Sequence, residues 1–125
     1  MIEVEVSNRS GRQVDESGAV ALARDVLAAE GVAAGELGLA FVGVDEMRGL
    51  KDAHLGLAEP TDVLSFPIDG CEPLPQGVPR ALGDVVLCPD IIGDAWQWPL
   101  VHGVLHLLGH EHGPAMEARE RALLP

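Results

Sequence analysis

Hydrophobic and polar residues follow one another along the chain in patterns that predict four β-strands. Residues 2–6 alternate between apolar and acidic side chains, which predicts a half-buried first strand. Residues 37–44 are apolar on both faces and predict a central strand. Residues 61–66 and 83–88 predict two further strands, and the segment between them is rich in Pro and Gly and is expected to be an irregular surface loop.

Helical periodicity and capping residues predict four helices between and after these strands. Asp15 caps a first helix that ends near Gly31, and Asp45 caps a second helix that ends by residue 56. A third helix, over 94–108, is apolar nearly all round and is therefore expected to be buried, and a short last helix starts at Pro114. We expect four charged residues to mark the solvated face of the last helix: Glu117, Arg119, Glu120 and Arg121. The order of elements predicts one α+β domain over 1–125, a small four-stranded sheet with helices packed on it.

Composition narrows the classes of function. The chain has 125 residues and a net charge of −12, from 8 basic and 20 acidic residues. Because affinity for phosphate comes mainly from Lys and Arg, binding to DNA or RNA through bulk charge is not expected, and a nucleic-acid partner would need a local basic patch. With two Phe, two Trp and no Tyr, an aromatic stacking platform for single strands is not supported.

The sequence also predicts the compartment. No apolar run reaches 18 residues, so we expect no membrane partner, and the acidic start of the chain shows no signal peptide. The two cysteines, Cys71 and Cys88, form no CxxC motif, and the second is expected to be a small buried hydrophobic residue rather than half of a disulfide. We therefore expect a cytoplasmic protein.

The run HGVLHLLGHEH, residues 102–112, carries the candidate chemistry. His102 and His106 are four residues apart and share one face of the predicted third helix. Gly109 can end that helix with a positive φ, so that the chain folds back and brings His112 toward the same point. Three imidazoles at this spacing are the ligand set of a catalytic zinc ion with an open fourth position. His110 is expected to point away from the metal, toward substrate or solvent.

The spacing of these histidines is that of the metzincin peptidases, with one change. Where those enzymes carry their general-base glutamate, this chain has Gly103. The pattern therefore predicts a metzincin-like zinc helix without the base that peptide hydrolysis needs.

Three blocks of the chain together resemble the YbeY family of bacterial rRNA maturation factors. The blocks are PTDVLSFP (Pro60–Pro67), LGDVVLCP (Leu82–Pro89) and VHGVLHLLGHEH (Val101–His112). The resemblance implies a single-domain, zinc-dependent endoribonuclease that acts on single-stranded RNA in maturation of the 16S rRNA 3′ end and in ribosome quality control. It also implies that His102, His106 and His112 are the zinc ligands, and that the partners are the 16S precursor and the small ribosomal subunit.

The substrate contacts are expected on the second helix. The family often has an Arg where this chain has Leu55, and a Tyr or His at the neighbouring position, which is His54. Arg48 and Lys51 lie on the same helix face as Leu55, so either could present positive charge near the cleft. The alternative is that both are ordinary solvated side chains that pair with Asp45 or with the acidic residue next to Lys51.

The sequence leaves alternatives open for the proton acceptor and for the function of the protein. Glu111, beside a predicted ligand, is the candidate proton acceptor, because Gly103 cannot take that role, but it could equally be a surface carboxylate. For the whole protein, the alternatives to a nuclease are a non-catalytic, zinc-containing ribosome assembly factor and a metzincin-like metallopeptidase.

Overall fold

A computed structural model describes residues 2–55, 63–69 and 72–124, with the side chains at positions 54 and 55 outside the description. The elements in chain order are β1 (Ile2–Asn8), α1 (Glu16–Ala29), β2 (Gly35–Phe41), α2 (Val44–Leu55), β3 (Val63–Pro67), β4 (Ala81–Leu87), α3 (Pro89–Ile92), α4 (Gln97–Leu107) and α5 (Pro114–Leu123). The predicted α+β class with a four-stranded sheet is confirmed. The likeness of α4 to a metzincin helix stays a prediction.

The four strands form one sheet in the order β1-β2-β4-β3. β1 and β2 are parallel, as are β2 and β4, whereas β3 runs antiparallel to β4. A register shift interrupts the pairing of β2 with β4 at Glu36 and Leu37. β2 lies inside the sheet, as its apolar sequence predicted, and β3 forms the edge nearest to α4.

The sheet separates two hydrophobic clusters of unequal size. Alternate residues of the strands, among them Leu39 and Val85, face the larger cluster with α1, α4 and α5. The remaining strand positions, such as Val86, face a smaller cluster with Met47 of α2. The helix that carries two of the histidines and the helix that carries the predicted substrate contacts therefore pack on opposite faces of the sheet.

Local signals account for most element ends. Asp15 caps α1 by accepting a hydrogen bond from the Gly18 backbone N–H at 2.9 Å, as predicted. β2 ends at Phe41, three residues earlier than expected, because the chain already turns there into α2. The predicted third helix, over 94–108, corresponds to α4, which begins at Gln97 and ends at Leu107. Pro99 lies in its first turn, where a missing N–H costs no hydrogen bond. A single turn, α3, precedes it and was not predicted.

The remaining sequence expectations concern the membrane and the cysteines. Within the described ranges, no helix combines the length and apolarity needed to cross a membrane. Cys88 is a buried free thiol at the end of β4, as expected, and burial raises its pKa. Cys71 and the first two residues of the predicted third strand lie outside the described residues.

Candidate metal centre

Three histidine side chains meet at one end of α4. His102 and His106 project from neighbouring turns of the helix, and His112 follows the turn after it. Nε2 of His106 lies 3.1 Å from Nε2 of His102 and 3.1 Å from Nε2 of His112. One ring nitrogen from each of the three side chains lies within 4.8 Å of the other two. Imidazole nitrogens gathered in this way suit a transition-metal cation such as zinc.

Gly109 ends the helix and redirects the chain toward the cluster. Its φ of +96° lies in the region that favours glycine. The Gly109 N–H donates to the carbonyl of His106 at 3.0 Å, and the His110 N–H donates to the carbonyl of Leu105 at 3.1 Å. These bonds satisfy helix-terminal carbonyls as in a Schellman-type ending. The turn therefore places His112 beside the two helix-borne histidines.

A buried carboxylate orients the first histidine. Nδ1 of His102 lies 2.8 Å from Oε1 of Glu120, on α5. The other carboxylate oxygen of Glu120 accepts a hydrogen bond from Nε1 of Trp98 at 2.7 Å. The Trp98 ring also stacks on the His102 imidazole, with 4.7 Å between centroids and 28° between planes. His102 is thus fixed through Nδ1 and through its ring face, while Nε2 points to the cluster.

A backbone carbonyl orients the second histidine. Nδ1 of His106 lies 3.0 Å from the carbonyl oxygen of His110, so an N–H at Nδ1 donates to it. Burial lowers the pKa of His106, and the neighbouring His102 lowers it further. Both effects favour the neutral imidazole, which is the form that binds a metal ion.

The side chain of His110 points to a different partner. Its Nε2 lies 2.6 Å from Oε1 of Glu30, the residue that ends α1. Arg119 of α5 donates to the other carboxylate oxygen of Glu30, at 3.0 Å from Nε and 2.6 Å from Nη2. Burial raises the pKa of Glu30, but its bonds with Arg119 and His110 outweigh that effect and the net shift is downward. The ring of His110 therefore contacts the Glu30–Arg119 ion pair, outside the group of three.

Gly103, which the sequence marks only as the position without a general base, also has a packing role. It is buried, and an added Cβ would lie 2.7 Å from Cγ1 of Val85 and 3.0 Å from Cγ2 of Val63. The Ser65 hydroxyl donates to the Gly103 carbonyl at 2.9 Å. At this glycine α4 lies close against the sheet, and a glutamate there would have no room, so the missing base has a packing reason.

Of the described catalytic and substrate candidates, Glu111 directly precedes His112, whereas Arg48 and Lys51 lie on α2. Glu111 is exposed beside His112. Arg48 is exposed, and its Nη1 lies 3.3 Å from Oδ1 of Asp45, the alternative pairing that the sequence offered. Lys51 is half-buried on the same helix. The side chain of His54 lies outside the described residues, so its role, like the others, stays a prediction.

Sequence reasoning missed Trp98 and Glu120 and placed the second on a solvated face. That expectation was wrong, since Glu120 is only 5% exposed. A signal was present: Met116 and Glu120 are four residues apart and share a helix face, and the methionine is buried as well. What the sequence could not give is the partner, because the contact joins two helices through tertiary packing.

A groove of about 400 Å³ adjoins the cluster. His106 lies in its wall, together with the exposed side chain of Ile68 and the acidic Glu72 from the β3–β4 connection. A larger cavity of about 570 Å³, with Asp84 in its wall, lies on the other face of the sheet and contains none of the three histidines. The smaller groove, and not the larger cavity, therefore gives access to the three histidines.

Comparison with known proteins gives the chain its family. The family model described as endoribonuclease YbeY matches residues 5–124. Proteins named endoribonuclease YbeY from Mycolicibacterium paratuberculosis and Rhodococcus opacus are 38% and 40% identical to it, over 95% of this chain and 77% and 76% of theirs.

A solved structure supports the fold. The solution structure of a Thermotoga maritima protein matches with a TM-score of 0.55 and 22% identity, covering 98% of this chain and 86% of that one. The family model and the two relatives show that the chain belongs to the endoribonuclease YbeY family.

Proposed function

We propose that this protein is a zinc-dependent endoribonuclease that cleaves single-stranded RNA in the cytoplasm. Its substrate is the 3′ end of the 16S rRNA precursor, and its setting is the small ribosomal subunit, in maturation and quality control. The observation that carries the proposal is the convergence of three imidazole Nε2 atoms, with Nδ1 of two rings engaged by other acceptors. Family membership supplies the class of substrate.

The residues present fit zinc, and each ligand has a distinct task. Zinc held by these three histidines would activate water and polarise a phosphoryl oxygen. His102 and His106 are fixed by the helix and by their Nδ1 contacts, so their Nε2 lone pairs remain directed at the cluster. His112 completes the set from the turn, and the exposed Glu111 beside it is the proposed proton acceptor.

Packing disfavours the peptidase alternative. Peptide hydrolysis on a metzincin helix uses a glutamate directly after the first histidine. That position is Gly103, which lies against Val63 and Val85 and has no space for such a side chain. An assembly factor without catalytic activity keeps the same metal geometry, so an activity assay separates it from the nuclease.

The test of the function is a cleavage time course on single-stranded RNA that spans the 16S 3′ end, followed on a gel. Wild-type protein loaded with zinc is expected to cut the RNA and to leave casein intact. His106→Ala is expected to lose the activity, whereas His110→Ala keeps it. Intact RNA with zinc-loaded wild type would favour the assembly factor, and cleaved casein would favour the peptidase.

The test of the metal site measures zinc bound per chain. We expect one zinc ion per wild-type molecule and tight binding lost in His106→Ala, because one of three converging donors is removed. His110→Ala should bind nearly as well as wild type. Its backbone carbonyl, which holds His106, is kept, and its ring contacts Glu30 instead of the cluster. Equal loss in both variants would contradict the assignment of the ligands.

A further inference from the structure

Glu120 is an unusual residue for the inside of this protein. Among the residues that the structure describes, it is the only buried charged side chain, at 5% exposure. A buried carboxylate is costly unless it is paired and hydrogen-bonded. Both of its oxygens have partners, Nδ1 of His102 at 2.8 Å and Nε1 of Trp98 at 2.7 Å. Neither partner carries a permanent charge, so a fully charged ion pair does not account for its burial.

The contacts of Glu120 with His102 and with Trp98 have different effects. The His102 contact fixes which ring nitrogen carries the proton: an N–H at Nδ1 donates to Oε1, and the Nε2 lone pair faces the cluster. The Trp98 contact holds the other oxygen, so that the carboxylate cannot turn away from the imidazole. Trp98 also covers one face of His102 by stacking. The three side chains form a chain of contacts, Trp98–Glu120–His102, that ends at the predicted metal.

We propose that Glu120 is a positioning residue for metal binding, with Trp98 as its anchor. This inference rests on the proposed function, because it concerns the same three-histidine site. The carboxylate selects the His102 tautomer that binds metal. It also makes Nε2 a stronger electron-pair donor to the metal, as carboxylates behind metal-bound histidines do. Trp98 fixes the direction in which the carboxylate acts.

The substitution Glu120→Gln separates positioning from simple space filling, because it keeps the size of the side chain. A carboxylate accepts at both oxygens, whereas a carboxamide accepts at one end only and donates at the other. With Trp98 Nε1–H on one side and His102 Nδ1–H on the other, a glutamine must direct its NH2 group at one of two donors. The ring of His102 therefore loses its fixed tautomer in part of the molecules.

A second substitution, combined with the first in a double-mutant cycle, tests the two contacts of Glu120 together. Trp98→Phe removes the Nε1 donor and keeps an aromatic ring beside His102. In Trp98→Phe/Glu120→Gln, the glutamine is free to direct its oxygen at His102 and its NH2 group elsewhere. The double variant is therefore expected to bind zinc more tightly than Glu120→Gln alone, an outcome that a loss of packing would not produce.

The experiment measures zinc affinity by competition with a chromophoric chelator, using the full chain. We expect Glu120→Gln to bind zinc about 10–100-fold more weakly than wild type, as for other residues behind metal ligands. The double variant should recover most of that loss. Glu117→Gln is the matched control, because it removes an exposed carboxylate from the same helix, and it should leave the affinity unchanged.

Two further measurements exclude a merely structural role. Thermal unfolding of each metal-free variant shows whether it folds, and ¹⁵N chemical shifts of the His102 ring report the proton at Nδ1. Folded Glu120→Gln with wild-type zinc affinity would overturn the inference and leave the proposed function intact. Wild type that binds no zinc would overturn both, so the two failures are distinguishable.

Discussion

Gly103 shows how much a single missing side chain determines in this fold. An added methyl group would lie 2.7 Å from Val85, 3.0 Å from Val63 and 3.3 Å from the Ser65 hydroxyl oxygen. Overpacking of this kind costs about 1–3 kcal/mol, and the better helix propensity of Ala returns about 1 kcal/mol. We therefore expect Gly103→Ala to lower the free energy of unfolding by up to about 2 kcal/mol, measured by urea denaturation of the metal-free protein.

Gly49 provides the matched control for that substitution. It is also inside a helix, α2, but it is exposed, and an added Cβ would meet no atom within 4 Å. Gly49→Ala should stabilise the protein by about 0.5–1 kcal/mol through helix propensity alone. If Gly103→Ala proved equally stabilising, α4 would not be held closely against the sheet.

The contrast between His106 and Glu120 explains what the sequence could predict of single residues. The grouping of the three histidines follows from helix periodicity and from one glycine turn, which are local properties. The burial of Glu120 depends on α5 packing beside α4, a contact between residues 18 positions apart. Nothing in the local pattern names that partner, so the carboxylate was assigned to solvent.

At the scale of elements, the cluster joins α4 to the segment that follows it. Two candidate ligands lie on the helix and one beyond its end, so a bound ion would link them and its binding energy would add to folding. With free zinc at about 100 times its Kd, the stabilisation is about 2.7 kcal/mol, or roughly 10 °C in Tm for a domain of this size. We expect chelation to lower the Tm of zinc-loaded wild type by about that amount, measured by differential scanning calorimetry.

His106→Ala is the control for that measurement, since its Tm should not respond to the chelator. An unchanged Tm for wild type after verified removal of zinc would mean that packing alone holds the three histidines in place.

A second link joins α1 to α5 through Glu30 and Arg119. The carboxylate side chain is 12% exposed and the arginine 39% exposed, so solvent screens the pair in part. Because the pKa of Glu30 is lowered in the folded state, its contribution is complete above about pH 4.3, the value for a free glutamate. It is lost as the pH falls through the folded-state pKa.

Glu30→Gln should therefore lower the free energy of unfolding by about 1 kcal/mol at pH 7 and by much less near pH 3. Denaturant titrations at both pH values provide the measurement. Glu16→Gln, at an exposed residue in the first turn of the same helix, is the control. It should lower the free energy of unfolding at pH 7 by less than Glu30→Gln does. A Glu30→Gln deficit that stayed constant with pH would show that charge is not its source.

Element boundaries were predicted well where capping was local and less well where packing decided them. The Asp15 cap and the Pro114 start of α5 were read directly from residue type. The single turn of α3 was missed, because a four-residue helix has no periodicity to detect. Its placement depends on the end of β4, where Cys88 is buried in the smaller cluster.

At the scale of the whole molecule, the charge distribution bears on how RNA is held. At least four of the eight basic residues already pair with carboxylates in the folded chain. These pairs are Arg9–Glu46, Arg12–Asp90, Arg48–Asp45 and Arg119–Glu30. With a net charge of −12 as well, the protein has little positive charge to offer phosphates. The grouping of charges was not predictable from composition, since these pairs include contacts between distant parts of the chain.

This distribution makes the salt dependence of RNA binding a test of the substrate contacts on α2. Each phosphate contact adds about −0.7 to the slope of log affinity against log salt for a single strand. We expect a shallow slope for wild type, between about −1 and −3, weaker binding for Lys51→Ala, and tighter binding for Leu55→Arg with a slope steeper by about 0.7. Fluorescence anisotropy of a labelled 16S 3′-end oligonucleotide, titrated at several salt concentrations, supplies the data.

Ala21→Arg is the control for Leu55→Arg. It adds the same charge at an exposed position on α1, across the sheet from α2, and should change the slope less. Equal effects of the two arginines would mean that RNA responds only to net charge, and the predicted contact surface on α2 would be wrong.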